Sequence, residues 1–143
     1  GCAVSTISKN KNNKKIIKIK DPISFLTNFA KLKRNSSSAK ILAITGSAGK
    51  TSLKSLIKDL LQNVGKTYCS PKSFNNHLGV PISLSNLSTE DKFGIFEVGM
   101  SKSGEIKNLS KMIQPQISVI TNIGEAHLEN FKNINGIANG QTT

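Results

Sequence analysis

The chain is 143 residues long, enough for about one domain around one core and too short for a large multidomain enzyme. Hydrophobic residues make up 36% and aromatic residues 5%, with no Trp, so part of the chain is solvated or packs on something outside it. The formal charge of +12 is concentrated in residues 9–20 and 31–34, where no aromatics interleave to stack on bases, so a solvated surface is the better reading than a nucleic-acid interface.

Residues 1–15 are polar and read as irregular, and Ile16, Ile17 and Ile19 mark a short strand. Asp21-Pro22 opens a helix whose Ile23, Phe25, Leu26, Phe29, Ala30 and Leu32 are spaced for one buried face. Asn35-Ser36-Ser37-Ser38 breaks that pattern and is the candidate linker. Ile41-Leu42-Ala43-Ile44 is a short apolar run of the kind found in buried parallel strands. Leu53, Leu56, Ile57, Leu60 and Leu61 then recur at helical spacing over residues 50–63, and Gly65 stops the helix. A strand over residues 66–69 follows, then a helix over 80–87 with Pro81 in its first turn. Residues 93–98 form a third strand of this series, 104–113 a helix ending before Pro115, and 117–121 a fourth strand. Strands alternating with helices predict an α/β fold, a mostly parallel sheet with helices on its faces, in which ligands collect at the carboxyl ends of the strands.

Ile44-Thr45-Gly46-Ser47-Ala48-Gly49-Lys50-Thr51-Ser52 sits at one such end and reads as a phosphate-binding loop. Gly46 and Gly49 let backbone N–H groups approach phosphate oxygens, the following helix points its positive end at the same anion, and Lys50 adds a full charge. Thr51 offers a hydroxyl to Mg²⁺. The general pattern has a Gly where this chain has Ile44, so the loop is a compressed form. The bland alternative is a Gly/Ser turn before an ordinary helix.

Three further strand ends carry polar residues. Glu97 closes an otherwise apolar strand, where a carboxylate is expensive to bury without a cation; it suits Mg²⁺, or else reaches solvent or caps a neighbouring helix. His127 follows the 117–121 strand and is either a metal or phosphate ligand or a hydrogen-bonded structural residue, and Asn122 either contacts nucleotide or shapes its turn. Asn75 and Asn76 lie in a loop that could bind a second substrate or serve as turn chemistry. Cys2 and Cys69 lack metal-ligand spacing and no apolar run is long enough to cross a membrane, so the expected setting is soluble and cytoplasmic, with no membrane insertion.

Four ordered pieces together resemble the Mur ligase family, the ATP-dependent amide-forming enzymes of peptidoglycan precursor synthesis. They are Thr45-Gly46-Ser47-Ala48-Gly49-Lys50-Thr51; Asn75-Asn76-His77-Leu78-Gly79-Val80-Pro81; Phe96-Glu97-Val98-Gly99-Met100 with Gly104-Glu105-Ile106; and Thr121-Asn122-Ile123-Gly124-Glu125-Ala126-His127-Leu128-Glu129-Asn130-Phe131. The compressed loop is that family's own form, and the motifs are most similar to the branch that joins D-Ala-D-Ala to UDP-MurNAc-tripeptide through an acyl phosphate. The resemblance implies a P-loop NTPase-like central domain. Its cofactors would be ATP and Mg²⁺, with Thr45, Gly46, Ser47, Ala48, Gly49, Lys50, Thr51, Ser52 and Asn122 holding nucleotide. Thr51, Glu97 and His127 would hold metal, Lys50 and His127 would serve catalysis, and Asn75 and Asn76 would lie near UDP-MurNAc-peptide.

On that resemblance, residues 1–36 are the tail of an N-terminal UDP-substrate domain plus linker, and 37–143 the first half of the ATP-binding domain. The family's metal-bridging Lys is missing from Gly136-Ile137-Ala138-Asn139-Gly140-Gln141-Thr142-Thr143, so the chain is expected to be inactive alone and prone to self-association through exposed edges. The alternatives are another Mur ligase or a folylpolyglutamate synthase-like ligase, a stand-alone NTP-binding regulator, and a basic nucleic-acid-binding module, which the charge distribution disfavours.

Overall fold

The computed structural model of the chain describes residues 3–5, 16–102, 104–124 and 138. Strands β1 (Ala3–Ser5) and β2 (Ile16–Lys18) pair in parallel as a small two-stranded sheet. The expectation that the first fifteen residues are irregular is corrected at β1, a three-residue strand too short to show a period. The main unit follows as α1 (Pro22–Asn35), β3 (Lys40–Thr45), α2 (Lys50–Gln62), β4 (Thr67–Cys69), α3 (Gly79–Ser85), β5 (Phe93–Glu97), α4 (Glu105–Ile113) and β6 (Ile117–Ile120). Its four strands are all parallel in the order β4-β5-β3-β6. The chain therefore crosses from β5 to the far side of β3 to lay down β6, and the ends of β3, β5 and β6 lie side by side at that reversal, where open α/β sheets bind ligands.

Period-2 alternation divides the sheet's two faces. Ile41 and Ala43 of β3 and Phe96 and Val98 at β5 join one buried cluster with Ala30 of α1, Val80 and Leu84 of α3, and Ile106, Leu109 and Ile113 of α4. Burying Phe96 completely contributes roughly 2–3 kcal/mol. Glu97 alternates with Phe96 and Val98, so it turns to the opposite face, against which α2 packs.

Helix α1 begins at Asp21, whose carboxylate accepts from the Ile23 and Ser24 N–H groups at 2.9 and 3.3 Å, with Pro22 in the first turn. It packs on α3 and α4, but not by the whole apolar stripe that the spacing predicts. Ala30 is buried while Ile23, Phe29 and Leu32 are exposed. Arg34 is buried too, although the sequence places it in a solvated basic run. Its guanidinium donates to the carbonyls of Ile113 at 2.6 Å, Gln114 at 2.9 Å and Ser37 at 3.3 Å. Those acceptors include the orphan carbonyls at the end of α4, which favour a cation. Helix α1 runs through Asn35, so the break before β3 is confined to residues 36–39, with Ser37 Oγ accepting from Ala39 N–H at 3.2 Å. Leu56, Leu60 and Val64 on the α2 side and Ile117 on β6 are exposed apolar residues. No helix among the described residues is long and apolar enough to cross a membrane.

Candidate functional site

The chain leaves β3 at Thr45 and turns through Gly46 to Gly49 into α2. Gly46 has φ +133, and a Cβ there would collide with Thr121 Oγ1 and press on the Thr121 and Asn122 backbone, so the turn closes only with Gly. The segment after β6 props this loop from the side. Asn122 O accepts from Ser47 N–H at 3.1 Å and Asn122 Oδ1 from Ala48 N–H at 2.8 Å. Thr121 Oγ1 donates to the Ala48 carbonyl at 2.5 Å, and Gly124 N–H donates to Ser47 Oγ at 2.9 Å.

The amides of Ser47 and Ala48 are thus engaged by the neighbouring loop, and Asn122 does the shaping that was one of its two sequence readings. The anion-receptive groups are those of the first turn of α2. Gly49, in the left-handed region at φ 78, is its N-cap residue, and no side chain caps the helix. An uncapped first turn presents backbone N–H groups and the positive end of the helix dipole. Lys50 arches back over the loop, its Nζ on the Gly46 carbonyl at 2.5 Å.

One strand away, Glu97 is paired in register with Ile44 and is 1% exposed. Its carboxylate is held from three directions: Thr51 Oγ1 donates to Oε2 at 2.9 Å, Asn75 Nδ2 donates to Oε1 at 2.8 Å, and Lys54 Nζ lies 3.2 Å from Oε2. The cation that the sequence argument demanded for a buried carboxylate is therefore Lys54, itself 3% exposed and missed as a site residue. Its position fits the polar face of an amphipathic helix as well as a site, so its pairing depends on the strand packed beneath it. Thr51 and Glu97, read separately as metal-binding, are in direct contact.

The far wall of the site is built by the loop after β4 and the turn after β5. Asn76 Oδ1 accepts from Gly79 N–H at 2.8 Å and Leu78 N–H at 3.1 Å, organising the entry to α3, while Asn75 holds Glu97. Both Asn residues nonetheless line a cleft of about 450 Å³ with Thr45, Gly46, Ser47 and Lys50. The same cleft takes in His77, Ser101, Lys102 and Glu105, which sequence reasoning did not single out as site residues. Glu105 Oε2 accepts from Ser101 N–H at 2.6 Å and Lys102 N–H at 3.0 Å. Those bonds, first the one from Ser101, hold its carboxyl below the ordinary carboxylate range, helped by the charges of His77 and Lys102. Burial pushes the Cys69 thiol above its ordinary range, against the opposing charges of Lys54 and Lys58.

Of the residues read from the sequence, Thr45, Gly46, Ser47, Ala48, Gly49, Lys50, Thr51 and Ser52 form the loop and helix start as expected, and Glu97, Asn75, Asn76 and Asn122 gather around them. Ser52 is exposed in the first turn of α2. His127 lies outside the described residues, as do the rest of its motif from Glu125 onward and residues 139–143. Among the described residues no three His, Cys, Asp or Glu side chains cluster as a metal site.

Comparison with known proteins bears on the same region. The Mur ligase middle domain matches residues 44–142. The UDP-N-acetylmuramoyl-tripeptide–D-alanyl-D-alanine ligase of Rickettsia prowazekii is 44% identical over 124 residues, 87% of this chain and 28% of that protein. Its counterpart in Bacillus subtilis is 33% identical over 126 residues, covering 88% of this chain and 28% of the relative. Among solved structures, MurF from Acinetobacter baumannii superposes with a TM-score of 0.85 at 30% identity, over 96% of this chain and 30% of that one. MurF ligase from Thermotoga maritima in complex with ADP gives 0.82 at 28% identity, over 98% and 33%. The chain spans about a third or less of each of these relatives.

Proposed function

The chain belongs to the Mur ligase family, and from that premise we propose that it is the ATP-binding part of a ligase that joins D-Ala-D-Ala to UDP-MurNAc-tripeptide. The observation that carries this reading is the contact of Thr51 with Glu97 directly beside the Lys50 loop, at the reversal point of a parallel sheet. In this reading the first turn of α2 and Lys50 hold the ATP phosphates, and Thr45, Gly46, Ser47, Ala48, Gly49 and Ser52 with Asn122 shape the cradle.

The Thr51 hydroxyl and Glu97 carboxylate are hard oxygen donors 2.9 Å apart, a donor pair that suits Mg²⁺. Thr51 and Glu97 would hold that ion, with His127 assigned to a second one, and bound Mg²⁺ supplies charge neutralisation at the phosphates. The protein's own part is positioning: Lys50 fixes the phosphates by charge, Asn75 and Lys54 fix Glu97, and the β6 loop fixes the cradle. Asn75 and Asn76, on the cleft wall, would lie close to the nucleotide-linked peptide. Residues 1–36 would be the tail of the UDP-substrate domain plus linker, with α1 lying on the ATP-binding unit of residues 37–143. The setting in this reading is the cytoplasm.

The test is calorimetric titration of the chain with Mg-ATP beside Lys50→Ala. Loss of a charge-assisted contact to phosphate is expected to weaken binding about 10- to 100-fold. Equal heats from the two proteins would overturn the assignment.

A further inference from the structure

Lys54 stands one turn along α2 from Lys50, on the side facing β5. Its side chain is 4% exposed and that of Glu97 2%, so the pair is sequestered from solvent. Lys54 Nζ also donates to the carbonyl of Lys72 in the turn after β4, where Lys72 itself adopts φ 46. The ammonium thereby ties three elements together at the buried Glu97 carboxylate. Two charges buried this deeply are tolerated only as a pair, and losing one leaves the other uncompensated.

The consequence concerns cations. A lone carboxylate beside a hydroxyl would attract a divalent ion by itself, whereas a carboxylate 3.2 Å from an ammonium carries no net charge to offer. Lys50 adds a second positive charge at the same rim. We propose that Lys54 is a positioning residue that cancels the charge of Glu97, so that the Thr51–Glu97 pair takes a divalent cation only together with the anionic phosphates of a nucleotide. The inference rests on the reading of Thr51 and Glu97 as metal-binding, and deepens it. Lys54 also keeps Oε2 aimed at Thr51 while Asn75 holds Oε1.

The experiment measures Mn²⁺ binding by electron paramagnetic resonance without nucleotide, with thermal melts alongside, for the parent chain, K54M, K54R and K54M/E97Q. The parent and K54R are expected to bind Mn²⁺ weakly. K54M, left with an unmatched carboxylate, is expected to bind it at least about tenfold more tightly, from the removal of one unit charge at contact distance. K54M/E97Q is expected to return to the parent's value. A folded K54M with the parent's Mn²⁺ affinity, or a gain that survives E97Q, would overturn the proposal.

If K54M has no cooperative melt while K54M/E97Q does, the charge-compensating role is supported by the rescue. If neither folds, Lys54 serves the fold through the Lys72 carbonyl and the proposal fails. Titrating the parent with Mg-ATP in parallel separates the two layers: absence of binding there would defeat the nucleotide reading, while the nucleotide-free Mn²⁺ comparison would still decide the role of Lys54.

Discussion

Helices α2 and α4 begin alike and end up with different chemistry. Each follows a parallel strand, starts at a left-handed Gly (Gly49 at φ 78, Gly104 at φ 83) and lacks a side-chain cap at that Gly. In α4 the first helical residue is Glu105, whose carboxylate takes the N–H groups of Ser101 and Lys102, so the positive end of that helix already has its anion. The first turn of α2 contains no acid and carries Lys50 and Thr51 instead. One turn geometry therefore yields either a closed end or an anion site, and the residue after the Gly decides which. Both ends face the same cleft, and of the two the α2 end is left without an acid.

The contrast between the two helix starts is most exposed at the loop before α2. Gly46→Ala should abolish Mg-ATP binding, because the new Cβ collides with Thr121 and the backbone of the β6 loop. At the other helix start the space around Gly104 is open, so Gly104→Ala should cost only the left-handed strain, about 1–2 kcal/mol, and leave nucleotide binding intact. Calorimetry and thermal melts on the two variants read the contrast directly; similar losses of binding in both would remove the distinction between the two ends.

The smallest effect expected is acid sensitivity. The folded state holds the Glu105 carboxyl below its ordinary 4.5, so this group contributes stability that is present above that value and is lost as pH falls through the depressed one. Glu105→Gln should therefore flatten the fall in melting temperature on the acid side of 4.5 while changing little near neutrality. Parallel acid profiles for the two proteins would show that the capping carboxylate contributes nothing by charge.

Much of this architecture was legible because its signals are local. The apolar run before Gly46, the helical spacing from Leu53 to Leu61 and the Pro and Gly stops are each read within a few residues, and the main strands and helices follow from them. The loop and its Lys50-Thr51 are local as well. What stayed hidden depends on residues distant in sequence. Lys54 meets Glu97 across 43 positions, Arg34 meets Ile113 across 79, and Asn122 reaches Ala48 across 74. Nothing in the neighbourhood of Arg34 separates a buried clamp from a solvated charge run. The α1 stripe misled for a related reason: period gives a face, but only packing partners decide how much of it is covered, and Ile23 and Leu32 have too few in this chain.

Whether nucleotide meets the start of α2 and not that of α4 is read from the backbone amide spectrum of the ¹⁵N-labelled chain during titration with Mg-ATP. The largest shifts are expected at Gly49, Lys50, Thr51 and Ser52, with small ones at Glu105, Ile106 and Lys107. Equal perturbation of the two sets, or larger shifts at α4, would contradict that expectation.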